Sequence, residues 1–539
     1  MSLLVRHRQP PPFAWIGLCR LLPAFMAAIF SARAHSADIH DVCQRLQSVT
    51  VRIVSGTDRS SGVIISAAGH VLTTAHGLQA DRNRVTVVTA NGDTWQAAVL
   101  SRSANADAAL LQIELADQSS EFPFISVATQ IPVASDDSIM IAAGYPGREL
   151  TGLSPVIRTG GLRNVSTTLL RSDCLLTAGD SGGPLIDSAA SLIAIHRQIG
   201  GGAEHNLHVP VTVIRKELPA LDGILANAPP VSNASSRPTV RPSLNAAQQR
   251  DARRRTVRIQ QRIQGRRQDI SCGLLLDQQH VATKLSSLQP GEELLCRLAL
   301  GPEISGRIAI ADAAADLAIL KLETPVPQTG DMKDLSVLQD VPETRVFDWA
   351  LTVTDDRPKS MSGIITRLAH AEPAIAGRLG AELLRSDDRG VTVKQVDPNS
   401  TMALAGIQPG DRITAINERA IQTLDDVSQA MSLLQPGDWI TFTTERRSIS
   451  AQLTARLQND PAERFERAEF LDGLSGDLSP RRTGFTSVLQ TDLPLAPADC
   501  GRPLLNQQGE IIGIIIARRS RESTLALPLQ TVLEALRRL

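Results

Sequence analysis

Thr177-Ala178-Gly179-Asp180-Ser181-Gly182-Gly183-Pro184-Leu185 sets a serine on a glycine-rich turn that leads into an apolar strand. Gly179 and Gly182 put no side chain in the way of an approaching carbonyl, and glycine accepts the positive φ that such a turn needs. The backbone N–H groups of Gly179 and Ser181 can point to where a negatively charged oxygen would form. A serine hydroxyl is a weak nucleophile, so it needs a base, and the base needs an orienting group.

Upstream, Thr74-Ala75-His76 offers the base and Asp107-Ala108-Ala109-Leu110-Leu111 the orienting carboxylate. An imidazole titrates near neutral pH and can both take and return a proton. Asp107 would fix the His76 tautomer and balance the imidazolium. Around these residues lie short alternating stretches, such as Val49–Val54, and an Asn91-Gly92 turn between Val85–Val88 and Trp95–Leu100. Many short strands separated by turn residues predict an all-β barrel or sandwich. The order His76, Asp107, Ser181 and the three local motifs resemble the chymotrypsin-like serine proteases, and the spacing is closer to their HtrA-type branch. The resemblance covers about 38–222 and implies two six-stranded β-barrels with the triad between them.

One feature of this segment departs from that family. HtrA-type enzymes usually carry Asn before the serine, where this chain has Asp180. In digestive relatives that Asp pairs with a freshly cut N-terminal amine. No Ile-Val-Gly-Gly activation sequence is present, so Asp180 needs another partner or must stay solvated. Motif position puts Leu175 and Leu176 near the base of the specificity pocket and Ile195-His196-Arg197 along its wall. With no acid at the base, small or medium apolar residues are expected before the cleaved bond.

The second half reads as the first again. Thr50-Val51-Arg52-Ile53 recurs as Thr256-Val257-Arg258-Ile259, and Asp107-Ala108-Ala109-Leu110-Leu111 as Asp316-Leu317-Ala318-Ile319-Leu320. The nucleophile turn recurs as Ala498-Asp499-Cys500-Gly501-Arg502-Pro503-Leu504. Ser286 falls where His76 stands, so the copy is expected to be inert, with nearby Lys284 facing elsewhere. Between these repeats, Ala405-Gly406-Ile407-Gln408-Pro409-Gly410-Asp411-Arg412-Ile413 resembles a bacterial-type PDZ domain. That resemblance implies that Arg378-Leu379-Gly380 holds a peptide's terminal carboxylate and that the peptide adds as a strand beside Ala381–Leu384.

The predicted fold class is mainly β: two chymotrypsin-like double β-barrel domains, the second interrupted by an α+β PDZ domain. The expected order is a signal peptide over 1–34, a trypsin-like protease domain over 38–223 and a linker over 224–252. A degenerate protease-like domain follows over 253–370 and 458–539, with the PDZ at 376–457. Arg6, Arg8 and Arg20 followed by Leu21–Phe30 and Ala32-Arg33-Ala34 give the export signal, so the body is expected in the periplasm or secreted, and membrane-anchored if the signal stays uncleaved. Net charge is −1, which gives no reason to expect nucleic acid. No cofactor or metal is expected. Cys43–Cys174 is the expected disulfide, and Cys272–Cys296 a second pairing, on the ground that exported chains meet an oxidising compartment. The expected function is endopeptidase cleavage of unfolded or extended polypeptides, with peptide C-termini bound at the PDZ and a homo-oligomer left open. The alternatives are a non-catalytic peptide-binding scaffold or holdase, and an esterase using the same triad.

Overall fold

The structure, a computed structural model, describes residues 39–115, 121–134, 139–147, 154–226, 240–263, 265–299, 301–326, 333–355, 357, 359–385, 390–459 and 466–539. The signal segment and residues 227–239 of the expected linker lie outside these. A helix, Ile39–Val49, comes first. Six strands then follow: β1 (Thr50–Ser55), β2 (Asp58–Ile64), β3 (His70–Thr73), β4 (Arg84–Val88), β5 (Thr94–Ser103) and β6 (Ala108–Ile113). They close into a barrel of order β1-β2-β3-β6-β5-β4. Alternation along β1 turns Val51 and Ile53 into the barrel, where they meet Ile64, Val71 and Leu111.

The next seven strands are β7 (Met140–Gly144), β8 (Val156–Gly160), β9 (Leu162–Val165), β10 (Leu170–Ser172), β11 (Pro184–Ile186), β12 (Leu192–Gln198) and β13 (Asn206–Pro210). They form one sheet of order β8-β7-β11-β12-β13-β10-β9. With β9 and β10 counted as one broken strand, this is the order of the first barrel, opened between its second and third members. Pro210 then starts the helix Val211–Glu217, where a missing N–H costs nothing.

The second half repeats the plan. Strands from Thr256–Ile263 to Leu317–Leu322 close a barrel in the same order as the first. Another closed barrel takes Trp349–Thr352 and Met361–Glu372 from before the insert and four strands from Phe485–Thr491 to Ser523–Pro528 after it. Backbone detail repeats as well: Asp107 and Asp316 are both non-glycine residues at positive φ, 47° and 54°. The insert is a separate sheet with its own apolar core, built around Val391, Met402, Ile413 and Phe442.

Three expectations need correction. Residues 224–252 are not all linker: Ala220–Ala226 and Ala246–Arg255 are helices, the latter started by a capping box between Asn245 and Gln248. Neither expected disulfide exists. Cys174 lies in the core of the second sheet and its thiol donates to Met140 O at 3.7 Å, whereas Cys43 packs in the cluster under the first helix. Cys272 and Cys296 stand opposite Arg258 and Ile259, consecutive residues of one strand, so their thiols lie on opposite faces. Lys284 does not face away: its Nζ donates to Asp316 Oδ2 at 2.5 Å and to Arg481 O at 3.0 Å.

Candidate active site

The loop after β3 carries His76 and the turn before β6 carries Asp107. Asp107 sits at a positive φ of 47°. Oδ2 lies 2.8 Å from His76 Nδ1, and Oδ1 accepts the His76 backbone N–H at 3.0 Å. The ring therefore carries its proton on Nδ1 and leaves Nε2 as the acceptor. Arg197 Nε stands 3.5 Å from the same Oδ2. Partial burial pushes the Asp107 carboxyl up, but the hydrogen bonds from His76 and the charges of His76 and Arg197 outweigh it and hold the group below the usual carboxylate range. Arg197 thus faces Asp107.

Ser181 is pinned through its backbone. Its carbonyl accepts Ser61 N–H at 2.8 Å, while Ser61 Oγ donates to Gly179 O at 2.8 Å and accepts Tyr145 N–H at 2.9 Å. Thr73 Oγ1 donates to Ser61 O at 2.7 Å, so the strand leading to His76 and the Ser181 turn share one hub. Glycine is required at 182: φ is +86°, and a Cβ would come within 2.3 Å of Thr73 Oγ1. Ser181 Oγ and His76 Nε2 are not hydrogen-bonded to each other; catalytic contacts of this kind commonly tighten only when substrate is bound. Among the described residues, the N–H groups of Gly179 and Ser181 donate to no protein acceptor.

Asp180 has found its partner. The carboxylate is buried, 1% exposed, and Arg158 Nη1, on the wholly buried Arg158 of β8, donates to Oδ2 at 2.8 Å. Thr177 N–H reaches the same oxygen at 2.7 Å. Burial pushes the Asp180 carboxyl up, against the pull of Arg158 and of the Thr177 N–H. The sequence held a signal for this pair: an arginine in the otherwise uncharged stretch Val156-Ile157-Arg158-Thr159 must find an anion if it is buried. Behind the turn, Ser172, His208, His196 and Ala143 form a buried chain. Ser172 Oγ lies 2.7 Å from His208 Nε2, the two Nδ1 atoms are 3.0 Å apart, and His196 Nε2 is 3.2 Å from Ala143 O. With both rings neutral, one direction satisfies every atom: Ser172 donates to His208, His208 to His196, and His196 to the carbonyl. Leu175 and Leu176 are buried.

The second half has the same scaffold with different chemistry. Cys500 O accepts Cys272 N–H at 2.7 Å, as Ser181 O accepts Ser61 N–H. Ser286 N–H donates to Asp316 Oδ1 at 2.6 Å and its hydroxyl to Oδ2 at 2.9 Å, the places His76 occupies on Asp107. Cys500 is fully buried, its thiol 3.7 Å from Ser479 Oγ, and burial pushes its pKa up. Arg502, in the position of Gly183, is held by Asp499 at 2.8 Å and Asp355 at 3.1 Å. Arg481 links this relict site to the insert through Asp438, at 2.9 Å.

In the insert, Ala381–Arg385 is an edge strand with Val391–Val396 as its neighbour. Before it, Gly380 has a φ of +69°, and a Cβ there would meet Ser400 at 2.2 Å. Leu379 O is used inward, accepting Met402 N–H at 3.1 Å, and Arg378 reaches Asp397 at 3.1 Å. The N–H groups of Leu379 and Gly380 donate to no acceptor among the described residues.

Comparison with known proteins matches residues 60–195 to the trypsin-like peptidase domain and residues 377–457 to the PDZ domain. The chain is 22% identical to the probable periplasmic serine endoprotease DegP-like of Chlamydia trachomatis over 386 residues, 69% of each protein. A protein of the same description from Rhizobium meliloti is 22% identical over 403 residues, 69% of this chain and 70% of that one. The serine protease HTRA1A of Danio rerio is 28% identical over 144 residues, 25% of this chain and 29% of the relative. Among solved structures, the serine endoprotease from Yersinia pestis aligns with 78% of this chain and 98% of its own at 14% identity and a TM-score of 0.30.

Proposed function

We propose that this chain, an HtrA-type serine endopeptidase with a trypsin-like peptidase domain and a PDZ domain, cleaves extended polypeptides with Ser181, His76 and Asp107 as its triad. The observation that carries this reading is the doubly bonded His76–Asp107 pair, which leaves Nε2 outside the bond to Asp107. His76 takes the Ser181 proton as Oγ attacks the carbonyl, and Asp107 balances the imidazolium. The N–H groups of Gly179 and Ser181 receive the oxyanion. His76 returns the proton to the leaving amine, and water then repeats the sequence on the acyl-enzyme. Buried Leu175 and Leu176 favour an apolar residue before the cleaved bond. Peptide C-termini would bind the Leu379 and Gly380 N–H groups, with Arg378 beside them, and run along Ala381–Arg385 as an added strand.

The N-terminal sequence and the periplasmic relatives support export to the periplasm. No helix among the described residues is long and apolar enough to cross a membrane.

A fluorophosphonate probe should label the wild-type protein at Ser181 and leave Ser181→Ala unlabelled. His76→Ala and Ser181→Ala should each lower kcat on casein by about 10⁴–10⁶-fold, with the double variant little worse, because the triad acts as a unit. A wild type that binds unfolded protein but neither labels nor cleaves would make the chain a scaffold or holdase. Cleavage of p-nitrophenyl esters without casein would make it an esterase.

A further inference from the structure

We propose that the C-terminal half is a built-in clamp on the catalytic half, and that Arg521 and Asp492 are positioning residues for the nucleophile turn and the specificity pocket. This rests on the reading of Ser181 as nucleophile. Arg521 sits at the tip of the hairpin formed by Ile511–Ser520 and Ser523–Pro528. Its side chain enters the first half. Nη2 donates to Gly202 O at 2.8 Å, to Asn206 Oδ1 at 3.0 Å and to Gly200 O at 3.4 Å. The segment it grips, Gly200-Gly201-Gly202, has no side chains with which to hold itself. Three glycines in a row lose more backbone freedom on ordering than any other triplet, so beyond the loop's own contacts, Gly202 N–H to Gly200 O at 3.0 Å and His205 Nδ1 at 3.2 Å from Gly201 O, an outside partner adds order. Arg521 supplies one by capturing two of its carbonyls.

Asn206 carries the contact inward. Its Oδ1 also accepts Leu176 N–H at 3.4 Å, and its Nδ2 donates to Ala203 O at 2.8 Å and Ser172 O at 3.3 Å. Leu176 precedes Thr177, whose N–H holds Asp180, the residue before the nucleophile. The other arm is Asp492. Asp492 Oδ2 accepts Thr159 N–H at 2.6 Å and Thr159 Oγ1 at 2.8 Å, while Oδ1 is fixed by Ile364 N–H at 2.6 Å. Thr159 follows Arg158 on β8, at the place where the second sheet is open, and Arg158 holds Asp180. Both arms therefore end on Asp180, from residues more than 300 positions away in sequence.

Burying these groups is costly, since desolvation pulls the Arg521 guanidinium down to about 10 and pushes the Asp492 carboxyl up. Apolar packing between the halves would not carry that cost. Backbone carbonyls and N–H groups can be held in one geometry by hydrogen bonds and not by apolar contact, which is why charged, hydrogen-bonding arms stand here. The relict site of the second half thus no longer needs chemistry of its own to serve catalysis.

The test uses the full chain carrying Arg521→Met, Arg521→Lys or Asp492→Asn. We expect Arg521→Met to lower kcat/KM on a peptide with an apolar residue before the cleaved bond by about tenfold to a hundredfold, the scale of a misplacement near 1 Å. Fluorophosphonate labelling of Ser181 should slow with it, and hydrogen exchange should quicken in 174–182 and 198–206 and nowhere else. Arg521→Lys should recover part of the loss, and millimolar guanidinium should partly rescue Arg521→Ala. Unchanged kinetics and unchanged exchange in those segments would overturn the clamp, as would loss of activity accompanied by faster exchange across the whole chain. If Arg521→Met does not fold, the near-isosteric Asp492→Asn decides through the same measurements. The exchange experiment, repeated on Ser181→Ala protein, judges the clamp even if the wild type proves unable to label, an outcome that would remove the protease reading alone.

Discussion

Cys500 and Ser181 occupy one backbone position in two copies of a turn and differ in everything that makes a nucleophile. Ser181 is partly exposed, in a half whose His76 is held by a carboxylate, whereas Cys500 is buried with a protonated thiol against a serine. The thiolate is the reactive form of cysteine, and burial withholds it. At the position of His76 stands Ser286, whose hydroxyl is spent on Asp316. Lys284 also turns to Asp316, so neither Ser286 nor Lys284 stands ready to return a proton to a leaving amine. Ser181→Ala protein should therefore show no casein cleavage that iodoacetamide or Cys500→Ala removes. Residual proteolysis abolished by both treatments would mean that the second site works.

At the scale of elements, the Ser181 turn hangs on β8 through Arg158 and on β12 through the His196 backbone, which bonds Gly182 N–H and Gly183 O, and the His196–His208 pair is buried behind it. Arg158→Met leaves the Asp180 carboxylate buried without its cation, which should cost about 3–5 kcal/mol in urea unfolding. Adding Asp180→Asn removes the orphaned charge, so the double variant should regain most of that loss. A double variant no more stable than Arg158→Met would deny the pair its role. The histidines set an acid limit. Burial holds His208 down to about 3, and His196 is also pushed well below its ordinary value by burial and by the charges of His208 and Arg158. An unfolded histidine takes a proton below about pH 6.5. The unfolded state therefore binds more protons throughout the window from there to about pH 3, and stability falls as pH drops through it. His208 alone should cost about 2 kcal/mol at pH 5 relative to pH 8. His208→Gln should flatten the slope of Tm against pH between 6.5 and 4; an unaltered slope would show that the acid sensitivity lies elsewhere.

For the whole molecule, the two halves are not beads on a string. One buried apolar cluster runs from Ile39 and Leu46 through Ile214 and Leu317 to Leu525 and Leu536, taking residues from both halves. The first helix docks into the second half, with His40 Nδ1 3.0 Å from Val346 O and its ring edge-on to Phe347 at 5.8 Å. Cutting the chain at a protease site engineered into 229–236 should accordingly give two fragments that co-elute on size exclusion in physiological buffer, because separation would expose this cluster to water. Fragments that part freely would contradict a shared core. The relict site has a place in this arrangement: Lys284, Asp316, Arg481 and Asp438 form a buried charged chain that ties the second half to the PDZ insert.

Where the chemistry sits in adjacent residues, the sequence by itself determined it. The turn around Ser181, the Ala-His and Asp-Ala-Ala-Leu-Leu motifs, the repeat of the barrel and the PDZ run are local patterns, and local sterics and alternation make them legible. The partner of Asp180, the grip of Arg521 on Gly200 and Gly202, the direction of Lys284 and Arg197, and the separation of the cysteine thiols were decided only by the tertiary structure. Each depends on which side chains meet across tens to hundreds of positions and on which face of a strand they leave from. Burial then makes those meetings obligatory: a charge or backbone polar group taken out of water must be answered wherever in the chain an answer lies.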